Sequence, residues 1–197
     1  GLIKHAERAR AEDRYLLFGW WRLFFERPWG IRGMQNLLLD YYLEPENVHR
    51  LSAALCEMYC GYIERSVCAF RPDGFWTSDD LGHQKQLFMR PEVFRAFIKP
   101  YYARVGVICP EQGVHWWLHS CGNNTDIMSD LAEVGLDVFH PVQKGTMDEA
   151  VRHLGGAVSA GFSQTGMITL AVRDRDPEMA MMIAQAHVAG LDSINQG

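Results

Sequence analysis

The chain has 197 residues, 48% of them hydrophobic and 22% charged, which is enough for one domain with a core of its own and unlike the composition of disordered segments. Its 19 Lys and Arg against 24 Asp and Glu leave a net charge of -5, and no basic run could follow a phosphate backbone, so nucleic acid is a poor partner. The longest apolar stretch, "YLLFGWWRLFF" at residues 15–25, is broken by Arg22 and is shorter than the roughly 20 residues that span a bilayer.

The opening "GLIKHAERARAEDR" has neither an initiator Met nor the apolar core of a secretory signal, so an excised or truncated product of cytoplasmic origin is expected. A strand near "YLLFGWW" is the first element, and "GIRGMQNLLLDYY" reads as a loop with a short helix over the mouth of the fold. "PENVHRLSAALCEMYCGYIERSVCAF" opens on Pro45 and keeps Val48, Leu51, Leu55, Met58, Tyr59 and Tyr62 at helical spacing. A short strand "GFWTS" comes next, ending in carboxylates, and then a helix that opens at Pro91 and is bent or interrupted near Pro100. After it come strand "VHWWLHS", helix "TDIMSDLAEV" closed by Gly135, strand "DVFHPVQ", helix "MDEAVRHL" closed by Gly155, strand "AVSAGF" and helix "DPEMAMMIAQAHVA". "SQTGMITLAVRDRD" has no clear place in this pattern.

Strands that alternate with helices in this way build a parallel sheet, and its closed form is a (β/α)8 TIM barrel with polar strand ends forming the active site. A doubly wound open sheet is the alternative, but no glycine-rich phosphate loop follows a strand. About five or six strands fall short of the eight of a complete barrel, so the chain reads as one partial barrel domain over residues 1–197. Such a sheet leaves unpaired edges, which favours a homo-oligomer.

The chemistry gathers at strand ends. His119 and Cys121 are two positions apart, so both point to one face if the strand persists. Asn124 or Thr125 is placed to cap the helix behind them, whose positive end would favour a Cys121 thiolate. A thiolate beside an imidazole suits zinc, and the competing reading is a buried thiol next to a packed histidine. In "TSDDLGHQ", Asp79 and Asp80 face opposite ways, so only one is expected to enter the site, as metal ligand, general base or substrate anchor, while its neighbour caps a segment; the competing reading is that both are solvated loop carboxylates and helix caps. His83 and Gln84 lie slightly beyond. In "FHPVQ", His140 and Gln143 are candidate substrate contacts, with an ordinary packed histidine the alternative for His140.

Five cysteines do not suggest a disulfide framework, and the thiols of Cys56 and Cys60 share a helix face with Leu and Met as core residues. Cys68 and Cys109 have no nearby partner in sequence and receive no role. Arg22 or Arg27, within "FGWWRLFFERPW", could anchor an anionic substrate group. The motifs of serine hydrolases, zincins and P-loop enzymes are absent.

Taken together, "GMQNLLLDYYLEPENVHRL", "PDGFWTSDDLGHQKQLFMRPEVFRAFIKPYYARV", "LHSCGN" and "LAEVGLDVFHPVQ" resemble the uroporphyrinogen decarboxylase superfamily over residues 33–161, a family of (β/α)8 barrels. The "HSCG" stretch is more similar to the branch of cobalamin-dependent methyltransferases than to the decarboxylases of porphyrin biosynthesis. That branch implies zinc held by the His and Cys of H-x-C, here His119 and Cys121, with a further Cys near the C-terminus. No cysteine follows Cys121 in this chain, so either the last ligand lies in a C-terminal segment outside it or the site has been lost; Asp79 or Asp80 is a candidate third ligand or substrate contact. The activity so implied is transfer of a methyl group between a corrinoid, on a partner protein or as substrate, and a thiol. Two other readings stand beside it: a cofactor-free decarboxylase acting on a tetrapyrrole, and a degenerate barrel that only binds a small ligand.

Overall fold

A computed structural model of the chain describes residues 1–141 and the backbone of two later strands, Val158–Phe162 and Ile168–Val172. It divides into two compact units, Gly1–Gly145 and Thr146–Gly197.

In the first unit a short helix, α1 (Leu2–Ala11), precedes strand β1 (Leu17–Trp20). Helices α2 (Glu26–Arg32), α3 (Met34–Leu43) and α4 (Pro45–Phe70) lead to β2 (Gly74–Ser78). Helices α5 (Pro91–Phe97) and α6 (Lys99–Glu111) lead to β3 (His115–His119), and a 3-10 turn (Thr125–Ile127) with α7 (Met128–Glu133) leads to β4 (Val138–His140). The four strands pair in parallel in the order β1-β2-β3-β4, without the reversal that a doubly wound sheet requires. Uninterrupted sequential order is that of a singly wound barrel.

The alternation of β-strand side chains sorts the two faces of the sheet. Phe75 and Thr77 of β2 and Trp116 and Leu118 of β3 are fully or almost fully buried. Trp116 packs edge-on against Tyr102 of α6 at 5.4 Å and donates its indole N–H to Thr77 Oγ1 at 2.9 Å, which satisfies the one polar atom it carries into the core. On the opposite face lie Trp76, Trp117, His119 and His140, in ring contact with one another. That face looks away from the helix layer and holds the two histidines read as site residues.

Several expectations shift in detail. The segment "GIRGMQNLLLDYY" is helical through α2 and α3 rather than a loop with one short helix, because Gly33, at φ 85°, turns the chain between two helices that pack together. The break in the helix after Pro91 falls at Ile98, and Pro100 sits in the first turn of α6, where its missing N–H costs nothing. The predicted helix at 125–134 is a 3-10 turn followed by only six helical residues, ending at Gly135 with φ 82° as read.

In the second unit, Val158–Phe162 is the strand expected from "AVSAGF", here β5, and "SQTGMITLAVRDRD" contains another, β6 (Ile168–Val172). The two pair antiparallel, against the parallel rhythm read from the sequence. Residues 163–167 are too few for a parallel crossover, which takes about a dozen residues. The helices expected from "MDEAVRHL" and "DPEMAMMIAQAHVA" lie outside the described residues, as does Gln143. No helix among the described residues is long and apolar enough to cross a membrane.

Candidate metal centre

Three side chains converge at the C-terminal ends of β2 and β3. Cys121 Sγ lies 3.4 Å from His119 Nε2, and His119 Nε2 lies 3.7 Å from Asp80 Oδ1. One donor atom from each of Asp80, His119 and Cys121 falls within 4.8 Å of the others, and all three residues are half-buried. A tetrahedral zinc site with bonds of 2.0–2.3 Å separates its donor atoms by about 3.3–3.8 Å, a range that includes the two separations from His119, while all three donors lie within 4.8 Å of one another.

The local sequence explains why the donors meet. Asp79 N–H donates to the His119 carbonyl at 2.9 Å and Ser120 N–H to the His140 carbonyl at 2.9 Å, which extends the sheet one step past the named strands. Beyond that step the two loops lie backbone to backbone. A Cβ on Gly122, whose φ is +90°, would stand 2.2 Å from the Gly82 carbonyl carbon, so only glycine allows this approach. Buried Ser120 accepts the Leu81 N–H at 3.0 Å. Buried Asn124 donates to the carbonyls of Ser120, Cys121 and Gly122 at 3.1–3.3 Å. Asn124 therefore ties the Cys121 loop together instead of using its side chain to cap a helix. Asp80 Oδ1 accepts the Cys121 N–H at 2.8 Å, so the carboxylate is held beside the sulfur.

The thiol of Cys121 is shifted upward, first by burial and then by the Asp80 carboxylate and Glu26. The expected stabilisation of a thiolate by a helix terminus is corrected here. Cys121 runs into a loop and a 3-10 turn, and its backbone N–H is already given to Asp80. A free thiol is favoured until a cation arrives, and a divalent cation reverses that preference.

The two aspartates separate. Asp80 joins the cluster, while Asp79 does not: it is fully buried and points to the helix layer. Its carboxylate accepts N–H groups from Phe24 at 3.0 Å, Phe25 at 3.0 Å and Glu26 at 2.7 Å, and the Tyr102 hydroxyl at 3.0 Å. Asp79 thus satisfies the orphan donors at the start of α2 from across the sheet. Burial pushes its carboxyl up to about 7, against the opposing pull of the Glu26 and Phe25 N–H groups. A catalytic role for Asp79 at the cluster has no geometric support, because every donor around it belongs to the protein core.

His140, read as a substrate contact, pairs with His119 in the β3–β4 register, with the two rings 4.9 Å apart. Its Nε2 accepts the Trp76 indole N–H at 2.7 Å. Arg27, one of the two arginines considered for an anionic substrate, donates to the Trp21 carbonyl at 3.2 Å, and Arg22 lies over Gly30 of α2. His83 packs its ring on Phe88, in the small hairpin closed by the Gly82–Leu87 bridge. All five cysteines are free thiols; Cys56, Cys60 and Cys109 are buried and Cys68 is exposed.

Trp21, Glu26 and Trp76 also border the cluster, and sequence reading does not single them out as site residues. Trp76 was accessible in principle, since β-strand alternation puts it on the face of Ser78 and, through the register Ser78↔His119, beside His119. Glu26 comes from another element altogether and carries no such signal. Its Oε2 accepts the Ser78 hydroxyl at 3.3 Å.

The chain is similar in structure to a methyltransferase from Methanosarcina mazei, with a TM-score of 0.63 at 18% sequence identity over 79% of this chain and 45% of that one. The chain thus spans less than half the length of that protein, and at this identity the likeness speaks for the fold, part of a TIM barrel. No curated protein matches the sequence. The family model described as "Uroporphyrinogen decarboxylase (URO-D)" matches residues 29–168, so the chain belongs to the uroporphyrinogen decarboxylase family.

Proposed function

We propose that this protein is a zinc-dependent methyltransferase that moves a methyl group between a corrinoid and a thiol, with Asp80, His119 and Cys121 as the protein ligands. The observation that carries this reading is the Asp80–His119–Cys121 triangle, whose donors lie within 4.8 Å of one another and whose two sides at His119, 3.4 and 3.7 Å, suit a tetrahedral cation with one position left open. Family membership and the methyltransferase fold relative support the same direction. A zinc ion held there would supply Lewis acidity, lowering the pKa of a bound thiol so that a nucleophile exists at neutral pH without a separate base.

The chain's own residues supply the rest. His119 is fixed by the rings of Trp76 and His140, and Cys121 by the Asn124 bonds to its loop, so two donors are set before the third is needed. Asp80, held by the Cys121 N–H, adds a hard donor and one negative charge. A thiol held at the open position would give up its proton to become the nucleophile, and a bound corrinoid would supply the methyl group it accepts.

The test is metal analysis of the purified full-length protein together with methyl transfer from methylcobalamin to a thiol. One zinc per chain, lost in His119→Ala and Cys121→Ala, is the expected result. Zinc at background, or zinc content unchanged in His119→Ala, overturns the assignment. Conversion of a uroporphyrinogen by a zinc-free protein would assign it to the decarboxylases instead.

A further inference from the structure

Beside the three donors stands an indole wall. Trp21 is 63% exposed, unusual for so large a ring, and sits 4.6 Å from Trp76 at an interplanar angle of 74°. Both rings face His119, Trp76 at 6.0 Å and Trp21 at 6.3 Å between centroids. Trp76 is locked in place by its bond to His140, whereas the open side of Trp21 has no partner in the core.

Two carboxylates stand at the donors. Asp80 lies in the cluster, and Glu26 is held on its edge by Ser78, the strand partner of His119. Among the described residues no Lys or Arg side chain forms a hydrogen bond or ion pair with Asp80, Glu26 or Cys121. The guanidinium groups of the Trp21 segment belong to Arg27, held on the Trp21 carbonyl, and Arg22, held over Gly30.

We propose that the open position opposite Asp80, His119 and Cys121 takes a thiol with an uncharged aromatic tail, stacked on Trp21, and discriminates against thiols with anionic tails. This rests on the zinc reading of the cluster and narrows its substrate class. An aromatic tail gains ring contact on an indole face that is otherwise wet, worth about tenfold in affinity. A sulfonate or carboxylate tail meets the carboxylates of Asp80 and Glu26, and loses about tenfold against a neutral thiol of the same size.

The experiment titrates the zinc-loaded full chain, calorimetrically, with phenylmethanethiol, 2-mercaptoethanol and 2-mercaptoethanesulfonate. The expected order is aromatic tightest, neutral about tenfold weaker and anionic about tenfold weaker again. Trp21→Ala should abolish the aromatic advantage while zinc content and 2-mercaptoethanol affinity are retained. Glu26→Gln, which keeps an acceptor for Ser78, should shrink the penalty on the anionic thiol. Zinc-loaded protein that binds the sulfonate as tightly as the aromatic thiol, or a Trp21→Ala protein with unchanged preference, overturns this inference and leaves the zinc reading standing. A full chain that holds no zinc overturns both.

Discussion

Asp79 and Asp80 leave the end of β2 side by side, yet they serve two regions with opposite physics. Behind the sheet, Asp79 is sealed among Phe24, Phe25 and Tyr102, and every donor it meets is a fixed part of the protein. In front of the sheet, Asp80 is 36% exposed and shares its oxygen between the Cys121 N–H and the His119 imidazole. The first arrangement stores stability, because a buried carboxylate surrounded by donors cannot be removed without orphaning them all. The second stores binding capacity, because half-buried donors of three chemical types are left facing one another. One peptide unit, through the alternation of strand side chains, separates the anchor from the proposed ligand.

Substitution sharpens the contrast most at Asp79. Asp79→Ala should cost about 3–5 kcal/mol in denaturant unfolding, since three N–H groups and one hydroxyl lose their acceptor, whereas Asp80→Ala should cost less than about 1 kcal/mol. Equal losses at the two positions would break the comparison. Asp79 also sets a pH dependence of definite sign. Its folded-state pKa is raised to about 7 by burial, so the stability it contributes is complete below the ordinary carboxylate range and is lost as pH rises through about 7. Thermal unfolding between pH 4 and 8 should show this decline, and Asp79→Asn should flatten it.

At Asp80 the large effect moves to the metal. Zinc affinity measured against a chromophoric chelator should fall about 100-fold in Asp80→Ala, about 2.7 kcal/mol, with the metal-free melting temperature almost unchanged. Tyr102→Phe removes only the hydroxyl bonded to Asp79 and should cost about 1.5–3 kcal/mol, with no change in zinc affinity. The smallest effect is expected at Asp130, a buried carboxylate that does have cations. Burial raises its carboxyl, but Arg95 and Lys99 outweigh that and hold it below the ordinary range. Its contribution is therefore present above the unfolded carboxylate pKa and lost as pH falls through the lowered value, opposite in sign to Asp79, and amounts to less than about 1 kcal/mol because both partners are partly exposed. An Asp130→Asn protein whose acid unfolding matched the parent would remove that counterexample.

The identity of the long elements was legible in the chain because each carries its own periodic signal. Pro45 and the spacing of Val48, Leu55 and Tyr59 define α4 without reference to anything else, and the sequence alone placed His119 at the end of an apolar strand with Cys121 just beyond. The same alternation predicted that one of Asp79 and Asp80 enters the cluster and the other does not. Which of them enters was decided only by the tertiary structure: the start of α2, more than 50 residues away, arrives behind β2 with unsatisfied N–H groups and takes Asp79. Trp21 and Glu26 reach the site by the same kind of long-range contact, and Asn124 was drawn from its expected cap into the Cys121 loop by three carbonyls that needed a donor. Local spacing determines which way a side chain leaves its own strand. The partners it meets there depend on elements distant in sequence, whose approach is governed by packing and by the need to satisfy every buried polar group.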